Sequence, residues 1–239
     1  MRKAMRGENV PGIDARYWFA LLAASLFGTA SGDFIANILD FGFLGGLIPF
    51  AILLAGVFVA ERRARAPTEA YYWAAIVITR TAATNIADYT THDLGLGYII
   101  TAAGLAALLV LALRAFARPR PHFALVADAR YWLAVMIAGV LGTVGGDAVS
   151  HSFGLGDGLL AVAPIVGVIL AWQIAARPAR RVDYWIALVA VRITGTIGAD
   201  FLASERGLGM GLRWSMPLTG LILLAALMLP RRRVVTVQA

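Results

Sequence analysis

Apolar stretches of 16 to 23 residues recur along the chain at 17–39, 43–60, 71–92, 96–116, 131–152, 156–176, 184–204 and 214–229, separated by short polar segments. Each can cross ~30 Å of hydrocarbon at ~1.5 Å per helical residue, so the spacing predicts eight transmembrane helices. Strands of an outer-membrane barrel would instead alternate apolar and polar residues over roughly ten positions, and no such alternation is present. The predicted fold is all-α, a polytopic membrane protein. Polar residues interrupt the odd-numbered stretches at fixed places: a tryptophan is followed fifteen residues later by an aspartate, from Trp18 to Asp33, Trp73 to Asp88, Trp132 to Asp147 and Trp185 to Asp200.

Aligned on the tryptophan, the four units read YWFALLAASLFGTASGD, YWAAIVITRTAATNIAD, YWLAVMIAGVLGTVGGD and YWIALVAVRITGTIGAD. This is an internal repeat of two helices and a connection, at approximately 14–65, 69–120, 128–180 and 183–233 of a single transmembrane domain spanning 1–239. Two helices per unit give all four units one orientation, so the four aspartates lie at one depth. A finer pattern pairs units 1 and 3, with Gly28 and Gly142 and with Gly32 and Gly146, against units 2 and 4, with Arg80 and Arg192. The chain reads as a duplicated four-helix half, joined near 117–128, with the halves related by a pseudo-two-fold axis.

Composition agrees: 60% of residues are apolar and 15% charged, more apolar than a soluble domain of 239 residues requires. Of the 21 basic residues, seventeen lie in the amino terminus (Arg2, Lys3, Arg6, Arg16), alternate loops (Arg62, Arg63, Arg65; Arg114, Arg118, Arg120, Arg130; Arg177, Arg180, Arg181) and the tail (Arg231, Arg232, Arg233). Cytoplasmic loops retain Lys and Arg, so both termini are predicted to be cytoplasmic, in a bacterial inner membrane. The net charge of +7 follows from this loop bias and meets anionic lipid headgroups, with no basic domain for nucleic acid. The first sixteen residues lack the apolar core of a cleaved signal peptide. Without cysteine there is no thiolate nucleophile, iron–sulfur cluster or Cys-based zinc site.

Four tandem two-helix units, each with a Trp and a G-T-x-x-G-D-like segment followed by G-L-G, resemble a bacterial inner-membrane family built from a repeat of unknown function. The resemblance covers nearly the whole chain and implies the eight-helix, four-repeat layout, but brings no activity or site residues. Unit 1 departs from it, with Asp40-Phe41-Gly42 where the others have Gly95-Leu96-Gly97, Gly154-Leu155-Gly156 and Gly207-Leu208-Gly209.

Fifteen residues of helix put each aspartate ~22 Å from its tryptophan, in the outer third of the membrane if the Trp and Tyr pairs are interfacial anchors. Four residues before each aspartate is Thr29, Thr84, Thr143 or Thr196, and four after it Asn37, His92, His151 or Ser204, all on one helix face. Such a stripe would cost about 2.5 to 3.5 kcal/mol per charged aspartate against lipid, so it is predicted to face the bundle interior. Gly32, Ala87, Gly146 and Ala199 would let the helices approach closely there. Arg80 and Arg192, eight residues before their aspartates, are expected as buried counter-charges for an aspartate on a neighbouring helix.

Four carboxylates less two guanidiniums leave minus two, which suits one divalent or two monovalent cations. Repulsion among the carboxylates would also allow a proton to serve. Asp88 with His92, and Asp147 with His151, form D-x-x-x-H pairs that together would suit Zn, Mn, Fe or Ni. No haem motif accompanies them. Pro49, Pro164 and Pro217, with Gly104 at the equivalent point of helix 4, could expose carbonyls to a cation or hinge a gate. Asp40, Asp93, Asp157 and Glu205, opposed by Arg206 and Arg213, charge the proposed mouth.

The leading expectation is a transporter or channel for a cation, a divalent metal ion before sodium, bound by Asp33, Asp88, Asp147 and Asp200 with the four threonines as secondary ligands. Its partners would be the bilayer and a cation or proton, and a bound divalent metal the one cofactor suggested. The alternative is a scaffold or sensor whose polar centre is structural. An enzyme ranks last, for want of H-E-x-x-H, G-x-S-x-G or a serine with a well-placed base.

Overall fold

The computed structural model describes residues 10–64, 68–115, 125–176 and 181–230. Among them are eight helices of 17 to 25 residues: α1 (Ala15–Asp33), α2 (Leu47–Arg63), α3 (Glu69–Asp88), α4 (Tyr98–Ala115), α5 (Ala129–Phe153), α6 (Leu155–Ala176), α7 (Arg181–Ala203) and α8 (Leu212–Met228). There are no strands among the described residues. Arg2, Lys3, Arg6, Arg65, Arg118, Arg120, Arg177, Arg180, Arg231, Arg232 and Arg233, and residues 117–124 of the segment joining the halves, lie outside the described residues.

Local sequence accounts for the helix starts. Asp14 caps α1 by accepting from the Tyr17 amide at 2.8 Å, and Asp128 caps α5 by accepting from the amides of Arg130 and Tyr131 at 3.1 and 3.0 Å. The same D-A-R-Y-W string begins both helices. Past the aspartates of the first two units the helices widen into π-helical turns, Phe34–Ile38 after α1 and Tyr89–Asp93 after α3, whereas α5 and α7 run on as α-helix through Phe153 and Ala203.

The odd helices form a closed square, with α1 against α3, α3 against α5, α5 against α7 and α7 back against α1. Each even helix leans chiefly on the next unit's odd helix: α2 on α3, α4 on α5, α6 on α7 and α8 on α1. The last unit therefore closes the ring. Arg16 on α1 reinforces this closure, donating to Glu69 on α3 at 3.1 Å and to the Leu227 carbonyl on α8.

Burial separates the two rings. The apolar windows of the inner segments Ala15–Ile38, Ala129–Phe153 and Val182–Ala203 are 50–61% buried, against 11–17% for the outer segments Gly42–Arg63, Tyr98–Ala115 and Leu155–Ala175. These six have the length and apolarity to cross a membrane. α3 is outside that set because it carries Arg80, Asn85, Asp88 and three threonines, all of them buried, and α8 is shorter. Exposed Ile52, Ile99, Leu111, Leu160, Val168 and Leu221 on the outer helices cover the surface with hydrocarbon. This is the make-up of a multi-pass membrane protein.

Small residues set the spacing of the inner square, where packing rather than solvent exclusion holds membrane helices together. A Cβ on Gly28 would lie 2.4 Å from Cγ of Arg80, and one on Gly142 2.2 Å from Cβ of Arg192. Likewise a Cβ on Gly32 would meet Thr84 at 2.9 Å and one on Gly146 would meet Thr196 at 2.7 Å. The α1–α3 and α5–α7 contacts are thus the same contact made twice.

The loop anomaly of unit 1 resolves differently from the sequence reading. Asp40 takes the left-handed conformation (φ 59°) that Gly95 (64°) and Gly154 (83°) take seven residues after their aspartates, a region that Asp tolerates better than most residues. Unit 4 lacks a positive φ at that position, Gly207; it has one at Gly209 (65°), the equivalent of Gly42 (63°) in unit 1, and one at Gly211 (70°).

Candidate functional site: a layered polar axis

The inner face of each odd helix is a ridge of every fourth residue: Tyr17, Leu21, Ser25, Thr29 and Asp33 on α1; Tyr72, Ile76, Arg80, Thr84 and Asp88 on α3; Tyr131, Val135, Gly139, Thr143 and Asp147 on α5; Tyr184, Leu188, Arg192, Thr196 and Asp200 on α7. Every one except Asp33, Asp147 and Asp200, which are half-buried, is buried. The ridges stack into layers along the axis of the square.

At one end the four tyrosine hydroxyls close a hydrogen-bonded ring: Tyr17 to Tyr72 at 2.8 Å, Tyr72 to Tyr131 at 2.6 Å, Tyr131 to Tyr184 at 2.9 Å and Tyr184 to Tyr17 at 2.7 Å. Each tryptophan packs on the tyrosine of the preceding unit, Trp73 on Tyr17, Trp132 on Tyr72, Trp185 on Tyr131 and Trp18 on Tyr184, with centroids 5.6–5.9 Å apart. The expectation that these pairs anchor in the headgroup layer is therefore corrected: the tyrosines, Trp18, Trp73 and Trp185 are buried as an aromatic plug across the axis. A tyrosine hydroxyl in hydrocarbon needs a partner, and four at one level can satisfy one another. Leu21, Ile76, Val135 and Leu188 form the next layer, in one core cluster with the tyrosines.

The third layer holds Arg80 and Arg192, which enter from diagonally opposite helices. Arg80 is wholly buried and uses all five of its N–H groups: Nε donates to Ser25 Oγ at 3.1 Å, one terminal nitrogen to Thr84 at 3.0 Å and Thr143 at 2.6 Å, and the other to Thr29 and Thr196 at 2.6 Å each. The threonine hydroxyls spend their own hydrogens on carbonyls four residues back, at 3.1 to 3.4 Å. Each of Thr29, Thr84, Thr143 and Thr196 thus donates once and accepts once, and together they cage a guanidinium.

Arg80 is accordingly not ion-paired with an aspartate, as the sequence reading expected. Its threonine layer lies one helical turn away, ~6 Å, and the aspartates two turns away, ~12 Å, beyond the reach of an arginine side chain. Arg80 still feels Asp147, Asp33 and Asp200 electrostatically. Arg192, equally buried, makes no hydrogen bond through any of its three nitrogens among the described residues, and its electrostatic neighbours include the four tyrosines and Arg80.

At the other end Asp33, Asp88, Asp147 and Asp200 interact electrostatically in every pairing. Among the described residues none of these carboxylates takes a hydrogen bond or an ion pair, and Oδ2 of Asp147 is buried without a partner. The result is an acidic cup above a cationic floor. Its rim is polar: Asn37, His92 and His151 are exposed and Ser204 is half-buried.

A ligand set of Asp88, His92, Asp147 and His151 is not assembled. Among the described residues no three His, Asp or Glu side chains gather closely enough for one metal ion. Nδ1 of His92 lies 3.3 Å from the Asp88 carbonyl and its ring stacks on Phe43, while His151 tilts against Tyr98, because the π-turn and the helix end carry both imidazoles outward. Pro49, Gly104, Pro164 and Pro217 are exposed on the outer ring of helices, so their carbonyls do not reach the axis.

The sequence reading missed the tyrosine ring. On a straight helix, sixteen residues turn Tyr17 about 160° from Asp33, whereas four turn Thr29 only about 40°, so a one-face argument finds the threonine and not the tyrosine. Ridges of every fourth residue meet when helices cross, and crossing brings both ends of each ridge to the axis. The available signal was Tyr-Trp at the start of all four units.

Residues 16–66, 71–121 and 184–233, more than half of the chain, match the family described as Repeat of Unknown Function (DUF347). The chain belongs to this family. Each matched DUF347 repeat supplies one odd helix of the square and the even helix that follows it, and α5 with α6 fills the remaining side. No curated protein and no solved structure matches the chain.

Proposed function

We propose that this protein is a cation transporter of a bacterial inner membrane, built as four tandem two-helix repeats with both termini cytoplasmic and the acidic cup opening to the outer side. The observation that carries this reading is the convergence of four carboxylates from four helices on one axis, none with a hydrogen-bond or ion-pair partner among the described residues. Intramembrane carboxylates are costly, and carboxylates left unpaired are best explained by a ligand that comes and goes.

Below the cup the axis is crossed by the Arg80 cage, an aliphatic layer and the tyrosine ring, which favours a carrier in an outward-facing state over an open channel. The absence of a three-ligand cluster among the described residues favours a hydrated or monovalent cation, or a proton, over a dehydrated transition metal. Proteoliposomes loaded with ion-reporting dyes and offered Na⁺, K⁺, H⁺, Mg²⁺, Mn²⁺ or Zn²⁺ test this. Asp88→Asn and Asp147→Asn should each abolish the flux the wild type supports while the protein still folds. Wild-type flux in both variants would remove the proposal.

A structural role for the polar centre is the second reading, favoured by how completely Arg80 satisfies its hydroxyl cage. On that reading, the same aspartate variants lower thermal stability and alter no flux.

A further inference from the structure

Arg192 is the anomaly of the axis. Its side chain has zero exposure, yet Nε and both terminal nitrogens lack an acceptor among the described residues. Arg80, at the matching position of α3, consumes the hydroxyls that would otherwise serve, and adds a second positive charge to the same layer. Arg80 occupies the one hydroxyl cage, and Arg192 is left without an acceptor among the described residues. An isolated guanidinium in a low-dielectric interior is too costly to persist without a counter-charge.

We propose that Arg192 holds a small inorganic anion of the halide class against its guanidinium. The donors fit: the guanidinium offers five N–H groups in a planar fork. The neighbours select the size and chemistry of the ligand. Each tyrosine hydroxyl donates its one hydrogen within the ring, and Leu21, Ile76, Val135 and Leu188 offer none. A phosphate, sulfate or carboxylate would bring several oxygens that need further donors. A monatomic anion accepts from the guanidinium and tolerates aliphatic surroundings. This site is independent of the acidic cup and stands whether or not the protein moves cations.

The test uses the full-length protein in detergent, with sodium gluconate replaced stepwise by sodium bromide at constant ionic strength. A ligand bound only to the folded state raises the melting temperature in proportion to the logarithm of its excess over Kd, here roughly 5 °C or more at about a hundred-fold excess. The expected result is a rise that begins at a defined bromide concentration in the wild type, a flat response in Arg192→Met, and an anomalous bromine peak beside Arg192 in crystals grown with bromide. Equal bromide responses in wild type and variant would mark a general salt effect and overturn the proposal, as would no response in the wild type. If Arg192→Met does not fold, the wild-type titration and the bromine peak decide, and absence of the peak overturns it.

Discussion

Arg80 and Arg192 occupy the same position of their repeats, and replacing each with methionine should move stability in opposite directions. Methionine keeps the length and much of the volume of the stem, so the cavity contribution is small. At Arg80 the change removes five hydrogen bonds to a charged group, bonds worth about 1.5 to 3 kcal/mol each before desolvation is subtracted. It also leaves four threonines and Ser25 around an apolar side chain, and the four carboxylates lose their nearest cation. Breaking a satisfied buried charge network costs about 3 to 5 kcal/mol. Arg192 has no hydrogen bond to lose, and removing a buried charge without a protein partner is neutral or stabilising by about 1 to 4 kcal/mol. In halide-free gluconate buffer the two variants should therefore differ by at least about 3 kcal/mol, roughly 6 to 12 °C in melting temperature for a chain of this length. Thermal unfolding of both variants in one detergent, followed by tryptophan fluorescence, measures the difference. Equal shifts of the same sign would refute the reasoning, because they would mean that both guanidiniums are held alike.

Other perturbations probe the remaining layers. Gly28→Ala and Gly142→Ala each drive a methyl group into an arginine stem and should lower stability by about 1 to 3 kcal/mol, whereas Gly56→Ala and Gly104→Ala, with open space around the added methyl, should be neutral or stabilising by up to about 1 kcal/mol; thermal unfolding separates the two pairs. Tyr131→Phe removes two bonds of the tyrosine ring and leaves Tyr72 and Tyr184 one partner each, for a loss of about 1 to 3 kcal/mol. Tyr71→Phe, outside the ring, serves as the control and should leave the melting temperature unchanged.

The repeat itself made much of the architecture legible. A Trp-to-Asp spacing kept four times within apolar runs determined the number of helices and put Asp33, Asp88, Asp147 and Asp200 at matching positions of four of them, because helical rise and period are fixed by the backbone. The cost of a polar stripe in lipid accounts for the inward threonines and aspartates, but not for Asn37, His92 and His151, which are exposed beyond them. The sequence paired Gly28 with Gly142 and Arg80 with Arg192 as a duplicated half, and the structure adds that a Cβ at either glycine would meet the arginine of the next odd helix.

Only the tertiary structure decided who touches whom. That α2 packs on α3 rather than chiefly on α1, and α8 on α1, depends on ring closure, which no local pattern encodes. The crossing of the inner helices brought the tyrosines to the axis, where straight-helix periodicity had put them elsewhere. One cage of four threonines can hold one guanidinium. Two arginines that the sequence makes equivalent were therefore forced apart, one fully bonded and one without a hydrogen bond, because like charges compete for a single set of acceptors on a single axis.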